Sequence, residues 1–420
     1  MAFLPSRHEL PASLLGIPYP WVAVIMATLM NTADTWIFST AFMLYPFIQD
    51  ELALSQAQMG LISAALLGGG ISNLPGGWLS DLWGAKRIVI ISLLLMTLPA
   101  IGFAASESLW MLIVMGAFIG VISGPVFPAS TRVVMDWLPR RKLGIAMGLK
   151  QASPSMSGMM AAAIIPTVAV ALGWRWTVVA ALSLVAVIVV LLISFYRDKP
   201  TTGTQNARTS LKGIGELARD RRLLIPVLWA TIFAGIQFVF YTYFILFLVQ
   251  KVELSPVQAG ALMGLAQGTS IVGRILWGAA SDTIFQGRRL VVLGIMGITA
   301  CVSYALLSLL TPTSPFYVIA IMAAGHGIAS LAWSGLYAVF IGEAAGPGRV
   351  GVAIGLTQII MRLGMVLLPP LFGLLIDITD SYSLAWRLAS VIILVMTLGL
   401  FILGREPKRV DPPVAAEASR

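Results

Sequence analysis

Charged residues are scarce in this chain. They make up 11% of its 420 residues, while hydrophobic residues make up 58%. Ordinary soluble domains contain about 25% and about 45–50%, respectively, so this composition excludes a soluble globular enzyme. Cysteine is almost absent as well. Cys301 is the single one, which excludes both a disulfide framework and a cysteine metal cluster.

The sequence also lacks the signals of secretion and of enzyme chemistry. Its first apolar run, from about Trp21 to Phe47, is too long for a signal peptide and has no small-residue cleavage site after it. We expect this run to remain as a membrane helix. No nucleophile and base pair, metal-ligand cluster or phosphate loop occurs at usable spacing, so we expect neither an enzyme nor a bound cofactor or metal.

Apolar stretches of about 20 residues recur along nearly the whole chain, which predicts an all-α membrane protein. The twelve predicted spans are 20–48, 58–79, 88–105, 109–135, 144–172, 174–196, 223–250, 256–281, 290–311, 314–343, 351–377 and 384–404. The longest polar stretch separates the sixth from the seventh. The predicted domains are an N-terminal six-helix bundle (1–196), a cytoplasmic linker (197–222), a C-terminal six-helix bundle (223–404) and a cytoplasmic tail (405–420).

Basic residues fall in short segments that alternate with connections nearly free of Lys and Arg. The positive-inside rule places these segments, and both termini, in the cytoplasm. The net charge of +9 is therefore explained by membrane topology, and no nucleic-acid partner is expected. We expect a monomer in the lipid bilayer of a bacterial-type cytoplasmic (inner) membrane.

The two halves of the chain repeat each other. Residues 51–60 and 251–260 share Leu, Ser, Gln and Gly in register, and 77–81 match 278–282. Further on, 144–151 correspond to 351–358, and Trp174-Arg175 corresponds to Trp386-Arg387. Four correspondences in the same order indicate a duplicated six-helix unit. In transporters such repeats place the substrate near the bilayer midplane, between the halves.

One loop carries a family resemblance. Gly77-x-x-x-Asp81-x-x-Gly84-x-Lys86-Arg87 resembles the motif between the second and third helices of the major facilitator superfamily, and 282–289 are similar to a degraded second copy. The resemblance covers nearly the whole chain and implies twelve helices in two bundles. In that family the motif braces the cytoplasmic side between conformations. The predicted gating residues are Asp81, Lys86, Arg87, Arg132, Asp136, Arg140, Asp282, Arg288, Glu343 and Arg349. Static surface ion pairs are the alternative.

Few ionisable residues fall inside the predicted spans, where each is costly unless it faces a cavity or a partner. They are Asp34, Arg132, Lys150, Arg274 and Arg362. Arg132 has Asp136 four residues on, which is the spacing of a helical ion pair. If Asp34 pairs with one of the three deeper cations, two positive charges remain. This surplus predicts an anionic substrate.

Two of these cations lie in segments that resemble anion carriers. Arg274, eight residues before Asp282, is similar to an arginine in the eighth helix of monocarboxylate and related organic-anion carriers. Lys150 lies in a short match to the fifth helix of cyanate-porter-like carriers. Arginine can hold a carboxylate with two parallel hydrogen bonds, while lysine offers a compact charge. The alternative is that carbonyl groups or water at a helix break satisfy these cations.

Polar and aromatic residues on the helices that, by resemblance, line or flank the cavity are further candidates for substrate binding. They are Asn31, Gln151, Gln237, Tyr241, Trp333, Tyr337 and Gln358. Ordinary helix packing is the alternative for each. Asp34 and His326 are candidates for proton coupling, because a buried carboxyl group and a histidine can both titrate near neutral pH. Their alternatives are a fixed ion-pair partner and a neutral hydrogen-bonded residue.

The sequence therefore predicts a secondary transporter of small organic anions, carboxylates first, working by proton symport or by anion exchange. Proton-coupled multidrug efflux is the alternative that the apolar, methionine-rich composition permits. Its glycine- and proline-based signature in the fifth helix is reduced here to Ser153-Pro154 followed by Gly158. A membrane sensor or scaffold is disfavoured because the loops and the tail are short.

Overall fold

The computed structural model describes residues 13–14, 16–139, 142–199, 221–345, 350–404 and 406. At 14, 71, 74, 81, 221–223 and 350–352 this description covers the backbone alone. Helix dominates the described chain. Two-residue strands, β1 (Ser13–Leu14) and β2 (Ile17–Pro18), form one short antiparallel ladder before the first helix.

The helices follow one another with short connections. In the first half they are α1 (Tyr19–Leu52), α2 (Gln56–Gly68), the 3₁₀ helix η1 (Gly69–Ser72), α3 (Asn73–Trp83), α4 (Ala85–Ala104), α5 (Leu109–Ser123), α6 (Val126–Trp137), α7 (Leu143–Gln151), α8 (Ser153–Leu172) and α9 (Trp174–Phe195). In the second half they are α10 (Arg221–Gln250), α11 (Pro256–Thr283), α12 (Arg289–Leu307), α13 (Phe316–Ser330), α14 (Ser334–Ala345), α15 (Val350–Thr379) and α16 (Tyr382–Leu403).

Ten helices or consecutive helix pairs of the described chain are long and apolar enough to cross a membrane. The predicted multipass helical membrane fold is thus confirmed. The passes at 56–83 and 256–283 are not among the ten. The first is interrupted by η1, and the second carries Arg274 and Asp282. The count of twelve crossings stays a prediction, as do the domain boundaries, because 200–220 lie outside the described residues.

Several passes are broken near the middle. Three glycines, 68–70, coincide with the change from α2 to η1, and Ala152 separates α7 from α8 just before Pro154. Glycine and proline weaken a helix at such points. A break frees carbonyl groups from the helical ladder and leaves them available to other donors.

Helices α1–α9 pack mainly on one another, and so do α10–α16; we call these groups the N half and the C half. Among the described residues, two helix pairs make the largest contacts between the halves: α2 packs against α15, and α8 packs against α11. We call these contacts the α2–α15 seam and the α8–α11 seam. Between them, α1 of the N half meets α10 of the C half.

The sequence repeat is visible in local structure. Ser55 with Gln58 at the start of α2, and Ser255 with Gln258 at the start of α11, form the same reciprocal capping box. The shared glycines that follow give both seams their close approach. A side chain at Gly60 would collide with Pro370 of α15, and one at Gly260 would collide with Pro166 of α8.

Candidate functional site

The halves are bonded together at one end of the molecule, which we call the Ser55 end because it carries the connections before α2 and α11. Asp377 of α15 reaches across the α2–α15 seam. Its two carboxylate oxygens accept hydrogen bonds from the backbone N–H groups of Gln56 (2.9 Å) and Ala57 (2.8 Å). These groups open α2, and the start of a helix attracts negative charge. Asp377 therefore latches the C half to the N half.

Neutral amides complete the closure at the Ser55 end. Gln250 of α10 donates to Gln49 of α1 (2.8 Å) and accepts from Gln56 of α2 (2.8 Å). Tyr382 donates to the same Gln250 oxygen (2.8 Å). Tyr243, deeper on α10, donates to the backbone carbonyl of Gln56 (2.8 Å). The seal between the halves thus depends on uncharged groups beside the single carboxylate of Asp377.

The other end carries Gly84 and 286–288, and we call it the Gly84 end. Here the repeat-related Gly148 and Gly355 have nothing within 4 Å of where a side chain would begin, in contrast to the packed Gly60 and Gly260. The described ion pairs at this end each join residues of one half. Among the described residues, the halves are therefore joined at the Ser55 end and separate towards the Gly84 end.

Arg274 of α11 lies in the α8–α11 seam. Its Nη1 donates a short hydrogen bond to the backbone carbonyl of Gln151, the last residue of α7. Its Nε is buried and has no hydrogen-bond partner in the described part of the chain. Tyr241 of α10 lies close enough to interact with it electrostatically. The predicted alternative, a carbonyl at a helix break, accounts for one of the donors and leaves others for a ligand.

Arg362 of α15 has the matching position in the α2–α15 seam. Its Nη1 donates to the backbone carbonyl of Leu67 (3.0 Å), where α2 gives way to η1. The guanidinium lies directly against Gly70, where a side chain would collide with it. Asp34 interacts with Arg362 electrostatically. A glycine at position 70 is therefore what lets this arginine enter the seam.

Asp34 and Lys150 lie deep in the N half. Asp34 is 6% exposed, and its Oδ1 has no hydrogen-bond partner among the described residues. Lys150 is 1% exposed; its Nζ donates to the Thr131 hydroxyl (2.6 Å) and lies 3.7 Å from the centre of the Phe127 ring. Asp34 interacts electrostatically with both Lys150 and Arg362. One carboxyl group therefore faces two cations that belong to different halves.

Aromatic and amide groups of the C half lie next to these charges. Gln237 donates to the Tyr241 hydroxyl (2.8 Å), and the Trp333 indole N–H donates to the Gln237 oxygen (2.9 Å). Tyr337 packs on Trp333, with ring centres 5.4 Å apart. The Tyr241 ring meets Phe42 of α1 at 6.4 Å. Four of the predicted binding residues thus form one cluster on the C-half side of the interface.

The remaining candidates are more dispersed. Asn31 is buried and donates to the Ser153 hydroxyl (2.6 Å), so it braces the break between α7 and α8. Gln151 offers its backbone carbonyl to Arg274, and Gln358 is half-buried four residues before Arg362. His326 is fully buried inside the C half, where it hydrogen-bonds Ser303 (2.6 Å) and stacks on Phe240.

Three of the predicted N-half gating residues, Arg132, Asp136 and Lys86, make ion pairs or hydrogen bonds within that half at the Gly84 end. Arg132 pairs with Asp136 (3.2 Å), as the spacing predicted, and donates to the Ser80 carbonyl (2.6 Å). The Lys86 ammonium donates to the carbonyls of Ile193 (2.8 Å) and Tyr196 (2.6 Å). Arg87 is exposed.

Asp198, which is not among the predicted gating residues, accepts a hydrogen bond from the backbone N–H of Lys86 (3.1 Å) and so caps the start of α4. Burial raises the pKa of its carboxyl group, and the hydrogen bond from Lys86 partly opposes this change. A lone aspartate directly after a predicted helix was the available signal for this role.

In the C half, Arg289 binds both predicted acidic gating residues. It makes a short ion pair with Asp282 and a second one with Glu343 (3.4 Å). Its neighbour Arg288, the residue predicted from the sequence, is exposed. The side chain of Asp81, together with Arg140 and Arg349, lies outside the described residues.

Two helical halves that enclose buried charges, closed at one end and open at the other, are the architecture of a secondary transporter. A family model described as Major Facilitator Superfamily matches residues 24–369. The chain belongs to this superfamily, and the predicted family is confirmed.

Similar proteins cover nearly the full length. The hexuronate transporter of Bacillus subtilis is 24% identical over 402 residues, covering 91% of this chain and 92% of that protein. The cis,cis-muconate transport protein of Acinetobacter baylyi is 25% identical over 366 residues, covering 83% and 85%. The crystal structure of a bacterial homolog of the human lysosomal transporter Spinster, inward-facing and occupied, matches with a TM-score of 0.76 at 16% identity, covering 93% and 97%. This structural match shows the fold alone.

Proposed function

We propose that this transporter carries small organic anions, carboxylates first, by alternating access between its two halves. One observation carries the proposal: Arg274 and Arg362 reach from the C half to the interface between the halves, while Asp34 is the one described carboxyl group that faces the deep cations. With Lys150 included, the deep ionisable side chains of the described residues are three cations and one carboxylate, and Asp34 interacts with two of the cations, Lys150 and Arg362. Uncompensated charge is costly in a membrane, and a bound anion would compensate it.

The chemistry of these side chains supports a carboxylate. A guanidinium presents several N–H donors in one plane and can bind both oxygens of a carboxylate at once. Each arginine donates one hydrogen bond to a backbone carbonyl, and its other N–H groups can donate to a ligand. Tyr241, Gln237 and Trp333 supply the neighbouring surface for the rest of the molecule. The hexuronate and muconate carried by two relatives, according to their names, are carboxylates as well.

Ligand-induced thermal stabilisation tests the proposal, because a ligand that prefers the folded state raises the unfolding midpoint. The purified protein is assayed with matched panels of carboxylates, inorganic anions, phosphorylated compounds and lipophilic cations. We expect carboxylates to stabilise it, and Arg274→Ala and Arg362→Ala to lose this response. Arg387→Ala is the control, since Arg387 contacts Ser308 within the C half. Stabilisation by lipophilic cations alone would instead support multidrug efflux.

Two coupling modes follow from the same site, proton symport and anion exchange. The unpartnered Oδ1 of Asp34 is where a coupling proton would reside under symport. Asp34→Asn should then abolish uptake driven by a pH gradient in proteoliposomes while sparing exchange of labelled for unlabelled anion. Under pure exchange, a pH gradient should drive no uptake even in the unchanged protein.

We also propose that the Gly84 end faces the cytoplasm of a bacterial inner membrane, because Lys86, Arg87, Arg288 and Arg289 gather there. A membrane-impermeant thiol reagent should label Glu107→Cys at the Ser55 end of intact cells and spare Gln286→Cys at the Gly84 end. The reverse pattern would contradict this orientation.

A further inference from the structure

The two deep arginines of the C half occupy equivalent places, one in each seam between the halves. Arg274 lies in the α8–α11 seam and Arg362 in the α2–α15 seam. Each donates to a backbone carbonyl of the N half at a helix break: Arg274 to that of Gln151 at the end of α7, and Arg362 to that of Leu67 just before η1. Each arginine therefore ties one seam, and the pair ties both.

Each arginine also neighbours one of the two helices that meet between the seams. Asp34 of α1 interacts electrostatically with Arg362, and Tyr241 of α10 interacts with Arg274. Helices α1 and α10 meet between the seams, where Tyr241 contacts Phe42. A ligand bound between the seams, beside α1 and α10, would therefore lie between the two guanidinium groups.

The deep ionisable side chains carry a net charge of +2. Lys150, Arg274 and Arg362 contribute three positive charges and Asp34 contributes one negative charge. A carboxylate also competes well with a carbonyl group for a guanidinium, since charge-assisted hydrogen bonds are about twice as strong as neutral ones. An anionic group placed at each arginine would take it from its carbonyl and so loosen that seam.

We propose that the transported substrate is a dianion that gives one anionic group to each seam arginine, an inference that rests on the proposed anion transport. A dianion frees both seams at once and lets the halves rock. A monoanion frees one seam and leaves the other tied, so it binds without being carried efficiently.

The test compares linear dicarboxylates, from malonate to adipate, with the monoamide of each, which has the same length and one charge fewer. We expect the best-fitting dicarboxylate to bind about tenfold more tightly than its monoamide, which is the order of one hydrogen bond to a charged group. Binding is measured by thermal stabilisation of the full-length protein. In proteoliposome counterflow the dicarboxylate should exchange, and its monoamide should not.

Glutamine variants remove the charge. Arg274→Gln and Arg362→Gln each take one cation from a seam and keep a polar amide in its place. Each variant should bind the dicarboxylate and its monoamide with about equal affinity. Arg387→Gln, an arginine outside both seams, should keep the preference.

The outcomes separate this inference from the proposed function. Counterflow of monoamides as fast as of dicarboxylates, with both arginines needed for binding, would overturn the dianion and leave anion transport standing. Stabilisation by no carboxylate of either kind would remove the proposed function itself. A dicarboxylate preference that survives both glutamine variants would show that other groups recognise the second charge.

Discussion

The latch that Asp377 forms at the Ser55 end can be weakened by the substitution Asp377→Asn, which replaces one carboxylate oxygen by an amino group. The carboxylate accepts from two backbone N–H groups at the start of α2, whereas an asparagine side chain offers one oxygen and no charge. A hydrogen bond to a charged group contributes about 1.5–3 kcal/mol, and an anion at a helix start adds about 0.3–1 kcal/mol. Asp377 is exposed, so water competes for these bonds, and we expect a net loss of about 1 kcal/mol.

The protein alternates between a conformation closed at the Ser55 end and one open at that end. A loss of this size shifts their ratio about fivefold towards the open one. Spin labels at Glu107→Cys and Thr313→Cys report the opening, because both residues are exposed in Ser55-end connections of different halves. Cys301→Ser removes the native thiol. The population with the longer distance, measured by double electron–electron resonance, should grow in Asp377→Asn.

Asp380→Asn is the matched control. Asp380 lies three residues further on and is exposed, with a positive φ of 50° that asparagine tolerates well. The Asp380→Asn substitution removes a carboxylate from the same end and leaves the hydrogen bonds at the start of α2 unchanged. The latch would be refuted if Asp377→Asn left the distance distribution of the unchanged protein as it is. A shift of the same size in Asp380→Asn would refute it as well.

Two further predictions concern glycines. Gly70→Ala should lower anion affinity about tenfold, the order of one hydrogen bond to a charged group, because its methyl group displaces Arg362. Gly68→Ala, which has open space around it, is the control, and equal ligand-induced stabilisation in both variants would contradict the steric argument. Gly148→Leu should abolish transport but keep ligand binding, because closing the Gly84 end must fill the space beside this residue. Flux in proteoliposomes measures transport, and thermal stabilisation measures ligand binding. The control Gly399→Leu, also beside open space, should transport normally. Normal flux in Gly148→Leu would contradict closure beside Gly148.

Features set by local chemistry could be predicted from the sequence. The shared Ser and Gln of the repeat predicted equivalent positions, and both pairs cap helices in the structure. The spacing of Arg132 and Asp136 predicted their ion pair. These contacts lie within one helix turn, where periodicity specifies which side chains meet.

Contacts across the interface could not be read in this way. The sequence placed Arg274 and Arg362 at depth, but only the packing of the seams reveals which carbonyls they reach. His326 was chosen for its chemistry and lies packed inside the C half. Asp377 was overlooked, although a carboxylate in the last turn of a helix is disfavoured by its own dipole. That local mismatch was a usable signal of a partner elsewhere.

The amide seal formed by Gln49, Gln56 and Gln250 has a consequence for the conditions under which the protein can work. Amides do not titrate, and hydrogen bonds between neutral groups are little affected by dissolved ions. Acid or salt on that side of the membrane would weaken a seal of paired charges, but leaves this part of the contact as it is. In the proposed orientation the Ser55 end faces the outside, so acid in the medium would weaken the Asp377 latch and leave the amide contacts in place.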